Sequence, residues 1–290
     1  MSGSEPAGTL GANDWQGGLG RKWAANLEAL ETQWAEGLTL GLAALAPASG
    51  ERVLDIGSGG ARTTRAIAEA VGPEGAVLGL DISPELVEVA RAGLAELPQA
   101  DVLLGDAGTL ALDARAWDAV FSRFGVMFFD DPPAAFRNIH AALKPEGRAV
   151  FVVHANPKGS AWASLPAGIA NEVLGPSEPS PPGAPGPFGW ADPEIFVPIL
   201  EAGGFTHIAW TTHSVTGSMG VGMGEDPVDG ALAMVKGIGV VARRLGTMEE
   251  DAAAAAWEAI AAKLGPALAP HVSEGAVRIG GNLHVITARV

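Results

Sequence analysis

The stretch from Arg52 to Ser83 constrains the fold most strongly, because two apolar runs enclose a glycine-rich turn and a helical pattern. The first run, RVLDI, contains Asp55 and leads into Gly57 and Gly59, and the second run, AVLGLD, ends at Asp81. Short apolar runs that alternate with helices are typical of parallel strands whose two faces are both covered. The stretch therefore predicts the start of a doubly wound, Rossmann-like α/β sheet with a ligand site at the strand ends.

The same alternation continues to His154 and then loosens. Further strands are expected at DVLLGD, WDAVFSR and AVFVVH, and KPEGR is expected to form a turn before the last of these. Ser83 and Asp131 each precede a proline at a position suited to a helix cap. The later part of the chain predicts a helix at 192–202, a strand at 205–213, two alanine-rich helices within 226–264 interrupted near Gly246, and an antiparallel last strand at 282–290.

Three segments flank or interrupt this core. Residues 1–13 are rich in Gly, Ser, Pro and Ala and are predicted to be a disordered tail. Residues 14–46 carry apolar side chains at helical spacing, which predicts one or two amphipathic helices. Residues 175–189 contain too much Pro and Gly for regular structure and are expected to form an irregular loop, either a surface insertion or a flap over a pocket. The loop interrupts a single predicted domain spanning 47–290.

Composition excludes several kinds of chemistry. The chain of 290 residues has no cysteine and no tyrosine, which excludes disulfides, thiolate zinc sites and a cysteine nucleophile. Side-chain proton acceptors must therefore come from His, Asp, Glu or Lys. A formal charge of −15 without basic clusters disfavours nucleic acid as a partner. No apolar run is long enough for a membrane span, so a cytoplasmic protein without a membrane partner is expected.

The glycine turn distinguishes two kinds of nucleotide site. A dinucleotide site requires a third small residue where the helix meets the strand, but Arg62 occupies that position. Asp55, just before the glycines, would repel a pyrophosphate and favour a cation. S-adenosylmethionine (SAM), a sulfonium nucleoside with an α-amino group, meets these requirements. Asp81 can accept hydrogen bonds from a ribose in either kind of site, and Asp106, at the end of the next strand, can accept one from the adenine amino group.

The motifs ERVLDIGSGGARTT, GLDIS, GDAG and WDAVFSRFGVMFFDDPPAAFRNIHAALKPEGRAVFV resemble those of class I SAM-dependent methyltransferases. Within that class, they are similar to the small-molecule enzymes related to ubiquinone and menaquinone biosynthesis methyltransferases. The resemblance is specific over 51–153 and implies a seven-stranded sheet of order 3-2-1-4-5-7-6 with strand 7 antiparallel. It also implies that the helices of 14–46 form a lid over the cofactor and that a helical insertion precedes strand 7.

The resemblance also implies which residues contact the cofactor. The glycine motif differs from the usual family pattern, because GSGG stands where most members have GCGTG. Residues of the lid, the glycine motif, the ends of the second and third strands, and the end of the fourth strand are expected to bind SAM. These residues are Trp15, Trp23, Asp55, Gly57, Ser58, Gly59, Asp81, Ile82, Asp106, Ala107, Ser122, Arg123 and Phe124.

Methyl transfer from a sulfonium needs positioning and, for a protonated acceptor, a base. His154 follows the fifth predicted strand and is the best candidate for that base, with packing at the strand end as the alternative. His207 and His213 are weaker candidates, and His140 is expected to lie on the surface or in helix packing. No metal site is expected, because Asp131 is explained as a helix cap.

The leading hypothesis is a SAM-dependent methyltransferase, producing S-adenosylhomocysteine, whose acceptor is a small and largely apolar metabolite. The apolar character of the acceptor is expected from Trp and Phe residues on both sides of one predicted pocket mouth. A nicotinamide-dependent oxidoreductase is the alternative from another enzyme class, and a SAM-binding protein that no longer methylates is a third. A monomer or a homodimer is expected.

Overall fold

A single mixed sheet forms the centre of the computed structural model, which describes residues 10–290. Residues 1–9 of the predicted disordered tail lie outside the described residues. The strands are β1 (Arg52–Ile56), β2 (Ala76–Asp81), β3 (Ala100–Leu104), β4 (Trp117–Arg123), β5 (Leu143–His154), β6 (Thr206–Met219), β7 (Val272–Ser273) and β8 (Ala276–Arg289).

Helices cover both faces of this sheet. They are α1 (Ala12–Trp15), α2 (Gly18–Ala25), α3 (Leu27–Gln33), α4 (Ala35–Leu45), α5 (Arg62–Val71), α6 (Pro84–Leu94), α7 (Pro132–Ala142), α8 (Ala161–Leu174), α9 (Pro193–Ala202), α10 (Pro227–Gly237), α11 (Val240–Gly246) and α12 (Glu250–Leu268). Within residues 10–290, no helix is both long and apolar enough to cross a membrane.

The strand order confirms the predicted topology. The order is β3-β2-β1-β4-β5-β8-β6, and the two-residue strand β7 pairs with β8. Strands β1 to β5 pair in parallel, whereas β8 runs antiparallel to both β5 and β6. Strand β8 therefore takes the place predicted for strand 7. It is numbered 8 here only because the two-residue strand β7 precedes it. Parallel strands direct their carboxyl ends to one edge, where the crevice of an open α/β sheet lies.

The predicted helix caps are also confirmed. The Ser83 hydroxyl accepts a hydrogen bond from the Leu86 amide at 3.4 Å, and Pro84 opens α6. The Asp131 carboxylate accepts one from the Ala134 amide at 3.1 Å at the start of α7. These side chains satisfy amide groups that have no partner within the first turn of a helix.

Several segments differ from the sequence-based expectations. Four helices, α1–α4, form where one or two were expected, because short breaks divide the apolar pattern. Strands β6 and β8 are longer than predicted, since they pair with each other from Thr206 to Met219.

Residues 144–148 (KPEGR), expected as a turn, lie within β5, and Glu146 there has a φ of +66°. The insertion within 226–264 contains three helices where two were expected, because Gly239 with a φ of +93° separates α10 from α11. Residues 10–13 were assigned to the tail, but Leu10 is buried and Ala12 begins α1. The Leu10 side chain has apolar surface to bury, and its amide donates to the Pro185 carbonyl at 2.9 Å.

Candidate active site

A cavity of about 1060 Å³ lies at the carboxyl ends of β1, β2 and β4. Its floor consists of the strand ends and the glycine turn, and its opposite walls come from α1–α3, α8, the loop 175–189, and α10–α11. Residues 177–189 all line the cavity, so the proline-rich loop lies against it. The loop was predicted to be either a surface insertion or a flap over a pocket, and its position favours the second interpretation.

The cavity brings together most of the residues predicted to bind a cofactor. The exceptions are Asp55 and Ser122, which lie behind the cavity wall. The Ser122 hydroxyl is fully buried and donates to the Ile56 carbonyl at 2.7 Å, so it connects β4 to β1 and does not face a ligand. The predicted residues that line the cavity are Trp15, Trp23, Gly57, Ser58, Gly59, Asp81, Ile82, Asp106, Ala107, Arg123, Phe124 and His154.

The glycine turn leaves the backbone open to the cavity. Gly57 has a φ of +68° and Gly59 a φ of +54°, a conformation that L side chains rarely adopt. A β-carbon added at Gly57 would stand 2.7 Å from the Cα of Gly125, whereas one at Gly59 would meet nothing within 4 Å. Gly57 is therefore required both for the backbone conformation and for the close approach of the segment after β4.

Asp81 lies at the end of β2 with its carboxylate held by the backbone. Its two oxygens accept hydrogen bonds from the Gly59 amide at 2.8 Å and the Ser83 amide at 2.9 Å. Burial raises the pKa of Asp81, and these amide donors partly offset that effect. A carboxylate oxygen can accept more than one hydrogen bond, so Asp81 can still accept hydrogen bonds from a ligand in the cavity that it lines.

The second acid at the cavity, Asp106, is less enclosed. One carboxylate oxygen accepts a hydrogen bond from the Gly108 amide at 2.7 Å, and the side chain is half-buried. The neighbouring Ala107 is buried and Ile82 also lines the cavity, so an apolar surface adjoins the acid. This combination suits a flat, largely apolar base that carries hydrogen-bond donors at its edge.

Asp55 is enclosed in β1. The Thr64 hydroxyl donates to one carboxylate oxygen at 2.7 Å, while the other oxygen is buried without a hydrogen-bond partner in residues 10–290. Burial raises the pKa of Asp55 to about 7, and the Thr64 hydrogen bond only partly offsets this. Asp55 was expected to contact a ligand directly or through water, but because the strand places it behind the wall, direct contact is not supported.

A buried ion pair ties the N-terminal helices to the sheet. Glu31 of α3 accepts a hydrogen bond from the Arg123 guanidinium, at the end of β4, with an N···O distance of 2.5 Å. Both side chains are about nine-tenths buried, with exposed fractions of 11% and 9%, and both line the cavity. Arg123 also donates to the Thr63 hydroxyl at 3.3 Å. The contact of residues 14–46 with the strand ends therefore includes a specific polar interaction in addition to apolar packing.

Sequence reasoning missed Glu31, although the sequence contained a signal for it. Glu31 stands four residues after Leu27 and three before Trp34, on the apolar face of the predicted helix, where an unpaired carboxylate would be costly. The residues of α11 that line the cavity were also missed, because nothing in an alanine-rich pattern indicates which face meets a site 100 or more positions away in the sequence.

Five aromatic rings form a cluster on one side of the cavity, and we call Trp34, Phe124, His154, Trp162 and Phe188 the aromatic cluster. His154 stacks on Phe124 with centroids 4.4 Å apart, and the Trp34 ring lies 4.6 Å from His154. Trp162 stacks on Phe188 at 5.6 Å. The rings come from the residue before α4, the residue after β4, the end of β5, α8 and the loop 175–189, so the cluster connects elements that are far apart in the sequence.

His154 is buried within this cluster. Burial lowers the pKa of His154 to about 3, and its Nδ1 has no hydrogen-bond partner within the described residues. The imidazole is therefore neutral at physiological pH in the folded protein. The two weaker candidates lie elsewhere: His207 is exposed, and His213 lies on the edge strand β6. His140, expected on the surface or in helix packing, packs against Phe205. None of these three lines the cavity.

The burial of His154 predicts a pH-dependent stability. Its pKa is 6.5 in the unfolded chain and about 3 when folded, so the stability contributed by the neutral ring is present above pH 6.5 and is lost as the pH falls toward 3. Urea unfolding measures the effect. When the pH is lowered from about 7 to about 4.5, we expect the free energy of unfolding to fall by about 1–3 kcal/mol more in the wild type than in His154→Phe. Asp55 is present in both proteins, so its own titration cancels; equal losses would contradict the assignment.

Comparison with known proteins agrees with this arrangement. Residues 53–147 match a family model described as a methyltransferase domain. Demethylmenaquinone methyltransferase of Staphylococcus epidermidis is 36% identical over 108 residues, which are 37% of this chain and 45% of that protein. The chain thus spans less than half the length of that curated relative.

Solved structures share the fold over nearly the whole chain. Phosphoethanolamine N-methyltransferase 2 of Haemonchus contortus, in complex with S-adenosyl-L-methionine, has a TM-score of 0.55 and 19% identity, covering 98% of this chain and 61% of that one. The [4+2]-cyclase SpnF also has a TM-score of 0.55, with 16% identity and 98% coverage of both chains. Residues 53–147 therefore resemble a methyltransferase domain, and the chain shares the Rossmann-like fold of these solved structures.

Proposed function

We propose that the protein is a SAM-dependent methyltransferase that acts on a small, largely apolar acceptor. The observation that carries the proposal is the cavity in which the glycine turn, Asp81 and Asp106 meet at the carboxyl ends of consecutive parallel strands. The family model over residues 53–147 supports the reaction class. When bound, SAM supplies a methyl group activated by a positively charged sulfur.

The residues at the cavity suit an adenosyl group joined to an amino-acid tail. Asp81 is the group for the ribose hydroxyls, and Ile82, Asp106 and Ala107 are the groups for the adenine. The tail belongs beside Gly57, where the absence of a side chain leaves room for the ligand. Trp15 and Trp23 cover the same part of the cavity, with ring centroids 5.3 Å apart. Their apolar surfaces exclude water from the bound nucleoside.

The aromatic cluster is our candidate for the acceptor side. Its rings provide an apolar surface, and aromatic faces also attract a nearby positive charge. His154 is the candidate polar group there, as a neutral imidazole. Because burial lowers its pKa to about 3, His154 retains a proton poorly, and we propose that it accepts a hydrogen bond from the acceptor and orients it.

Replacing Asp81 by alanine is expected to weaken S-adenosylhomocysteine binding by about 1–3 kcal/mol, the cost of losing hydrogen bonds to a buried charged group. Calorimetry measures the affinity, and Asp113→Ala, which removes an exposed acid outside the cavity, is the matched control. If the two variants bind the nucleoside equally well, Asp81 does not contact it.

A nicotinamide site is the competing assignment. Arg62 occupies the first position of α5, where a dinucleotide site needs a small residue, and it pairs with Glu28 at 2.7 Å. Thermal-shift measurements decide between the ligands, because only a ligand that binds the folded state raises the melting temperature. We expect S-adenosylhomocysteine to raise it and NAD to leave it unchanged.

The reaction itself needs a separate test, since one structural neighbour is a cyclase and the fold alone does not decide the chemistry. Incubation with methyl-labelled SAM and a metabolite extract is expected to yield a labelled small molecule. Nucleoside binding without any transferred label would support the non-methylating alternative. The acidic surface, with a formal charge of −15, supports a small-molecule acceptor over nucleic acid.

A further inference from the structure

The cavity extends well beyond the part assigned to the nucleoside. Its volume of about 1060 Å³ exceeds the usual range for a single small-molecule site, roughly 300–1000 Å³. The remainder is walled by α8, the loop 175–189, the end of β6, α10 and α11. Buried apolar side chains of these elements face it, namely Met219, Met234, Val235 and Val241. A second, mainly apolar molecule therefore has room beside the nucleoside.

Three arginines line this cavity, and their hydrogen bonding differs. Arg123 is paired with Glu31, and Arg244 donates to the Asn171 side chain at 2.8 Å and the Gly175 carbonyl at 2.7 Å. The Arg243 side chain makes no hydrogen bond and no ion pair within 4.0 Å to any of residues 10–290, and only its backbone amide donates, to the Gly239 carbonyl at 3.1 Å. Its guanidinium carries five N–H donors and no acceptor, so it is available to an anion in the cavity.

The surroundings of Arg243 make its unpaired guanidinium energetically unfavourable. The side chain is half-buried among apolar residues of α10 and α11, and desolvation lowers the pKa of Arg243. The nearby Asp14 counteracts this only as the smaller effect, and its carboxylate already accepts a hydrogen bond from the Gly11 amide at 2.9 Å. A desolvated guanidinium without a partner is costly, and a carboxylate matches its planar fork with two parallel hydrogen bonds.

We propose that Arg243 forms the anion-binding part of the acceptor site, so that the acceptor is a planar, largely apolar acid. Its ring body packs on the aromatic cluster and its carboxylate, or an equally acidic oxygen, pairs with Arg243. This inference rests on the proposed function, because it assigns the nucleoside to the other part of the cavity. A cation that lines the cavity also gives an anionic substrate a local attraction within a chain of formal charge −15.

Two probes of the same shape test the proposal: 2-naphthoate and the neutral 2-naphthalenemethanol, titrated calorimetrically into protein saturated with S-adenosylhomocysteine. We expect wild-type protein to bind naphthoate about 10-fold to 100-fold more tightly than the alcohol, the range for hydrogen bonds to charged groups. Arg243→Met is expected to remove this preference without changing the affinity for the alcohol. Arg243→Lys keeps the positive charge and is expected to retain part of the preference for naphthoate.

Controls separate the subsite from the cofactor. Arg137→Met removes an exposed arginine of α7 outside the cavity and should leave every affinity unchanged. Equal binding of the two probes, no binding of either, or a preference that persists in Arg243→Met would overturn the proposal. A loss of S-adenosylhomocysteine affinity in Arg243→Met would also overturn it, because Arg243 would then serve the nucleoside. Failure of the wild type to bind the nucleoside contradicts the proposed function itself.

Discussion

Replacing Glu31 by leucine is expected to lower the free energy of unfolding by about 3–5 kcal/mol, because it leaves the Arg123 guanidinium buried without its counter-charge. The two side chains have exposed fractions of 11% and 9%, so water cannot readily replace the lost carboxylate. Arg123 would keep only its 3.3 Å hydrogen bond to the Thr63 hydroxyl. Urea unfolding of wild type and variant measures the difference.

Glu28→Leu is the matched control for this substitution. Glu28 lies on the same helix, and its side chain is 83% exposed where it pairs with Arg62. Pairs of this kind contribute little, because solvent screens the charges and the side chains lose freedom on pairing. We therefore expect Glu28→Leu to change stability only slightly. If Glu31→Leu costs no more than the control, the ion pair does not hold the N-terminal helices to the sheet.

Gly57→Ala is expected to destabilise the protein by about 2–5 kcal/mol, the sum of a left-handed backbone penalty and an overpacking penalty. The backbone φ of +68° disfavours any L side chain. The added methyl group would stand 2.7 Å from the Gly125 Cα, a backbone atom that no side-chain rotation can move away. Relief of the contact would separate the glycine turn from the segment after β4 and deform the cavity floor.

The chain provides a control for this substitution two residues away. Gly59 has a similar φ of +54°, but a β-carbon there meets nothing within 4 Å. Gly59→Ala is therefore expected to show only the backbone penalty of about 1–2 kcal/mol. Urea unfolding compares the stability of the two variants, and titration with S-adenosylhomocysteine shows whether the cavity floor can still bind the nucleoside. Equal losses of unfolding free energy in the two variants would mean that the close approach of Gly125 to Gly57 does not add to the cost of Gly57→Ala.

The parallel half of the fold was predictable from the sequence because local rules and the overall topology agree there. Nearly continuous apolar runs such as β2 indicate strands covered on both faces, and Ser83 with Pro84 determines where α6 begins. The place of Asp81 at the cavity was predictable for a similar reason. An acid at the end of a parallel strand lies at the sheet edge where ligands bind, whatever the neighbouring residues are.

Side-chain direction was less predictable than position. Asp55 and Ser122 stand at the expected places along β1 and β4, but alternation along a strand directs them away from the cavity, where they bond to Thr64 and to the Ile56 carbonyl. Glu31 was not predicted because its partner Arg123 lies 92 positions away in the sequence, although its place on an apolar helix face was a signal. Arg243 was not predicted because the spacing of apolar residues does not indicate which face of α11 meets the cavity.

The most direct test of the central claim is calorimetric titration of wild-type protein with S-adenosylhomocysteine. We expect one nucleoside to bind per chain, and SAM to compete for the same site. Binding should weaken in Asp81→Ala and remain unchanged in Asp113→Ala. If no heat of binding and no thermal stabilisation is observed with either nucleoside, the assignment of the cavity beside Gly57 and Asp81 to SAM is contradicted.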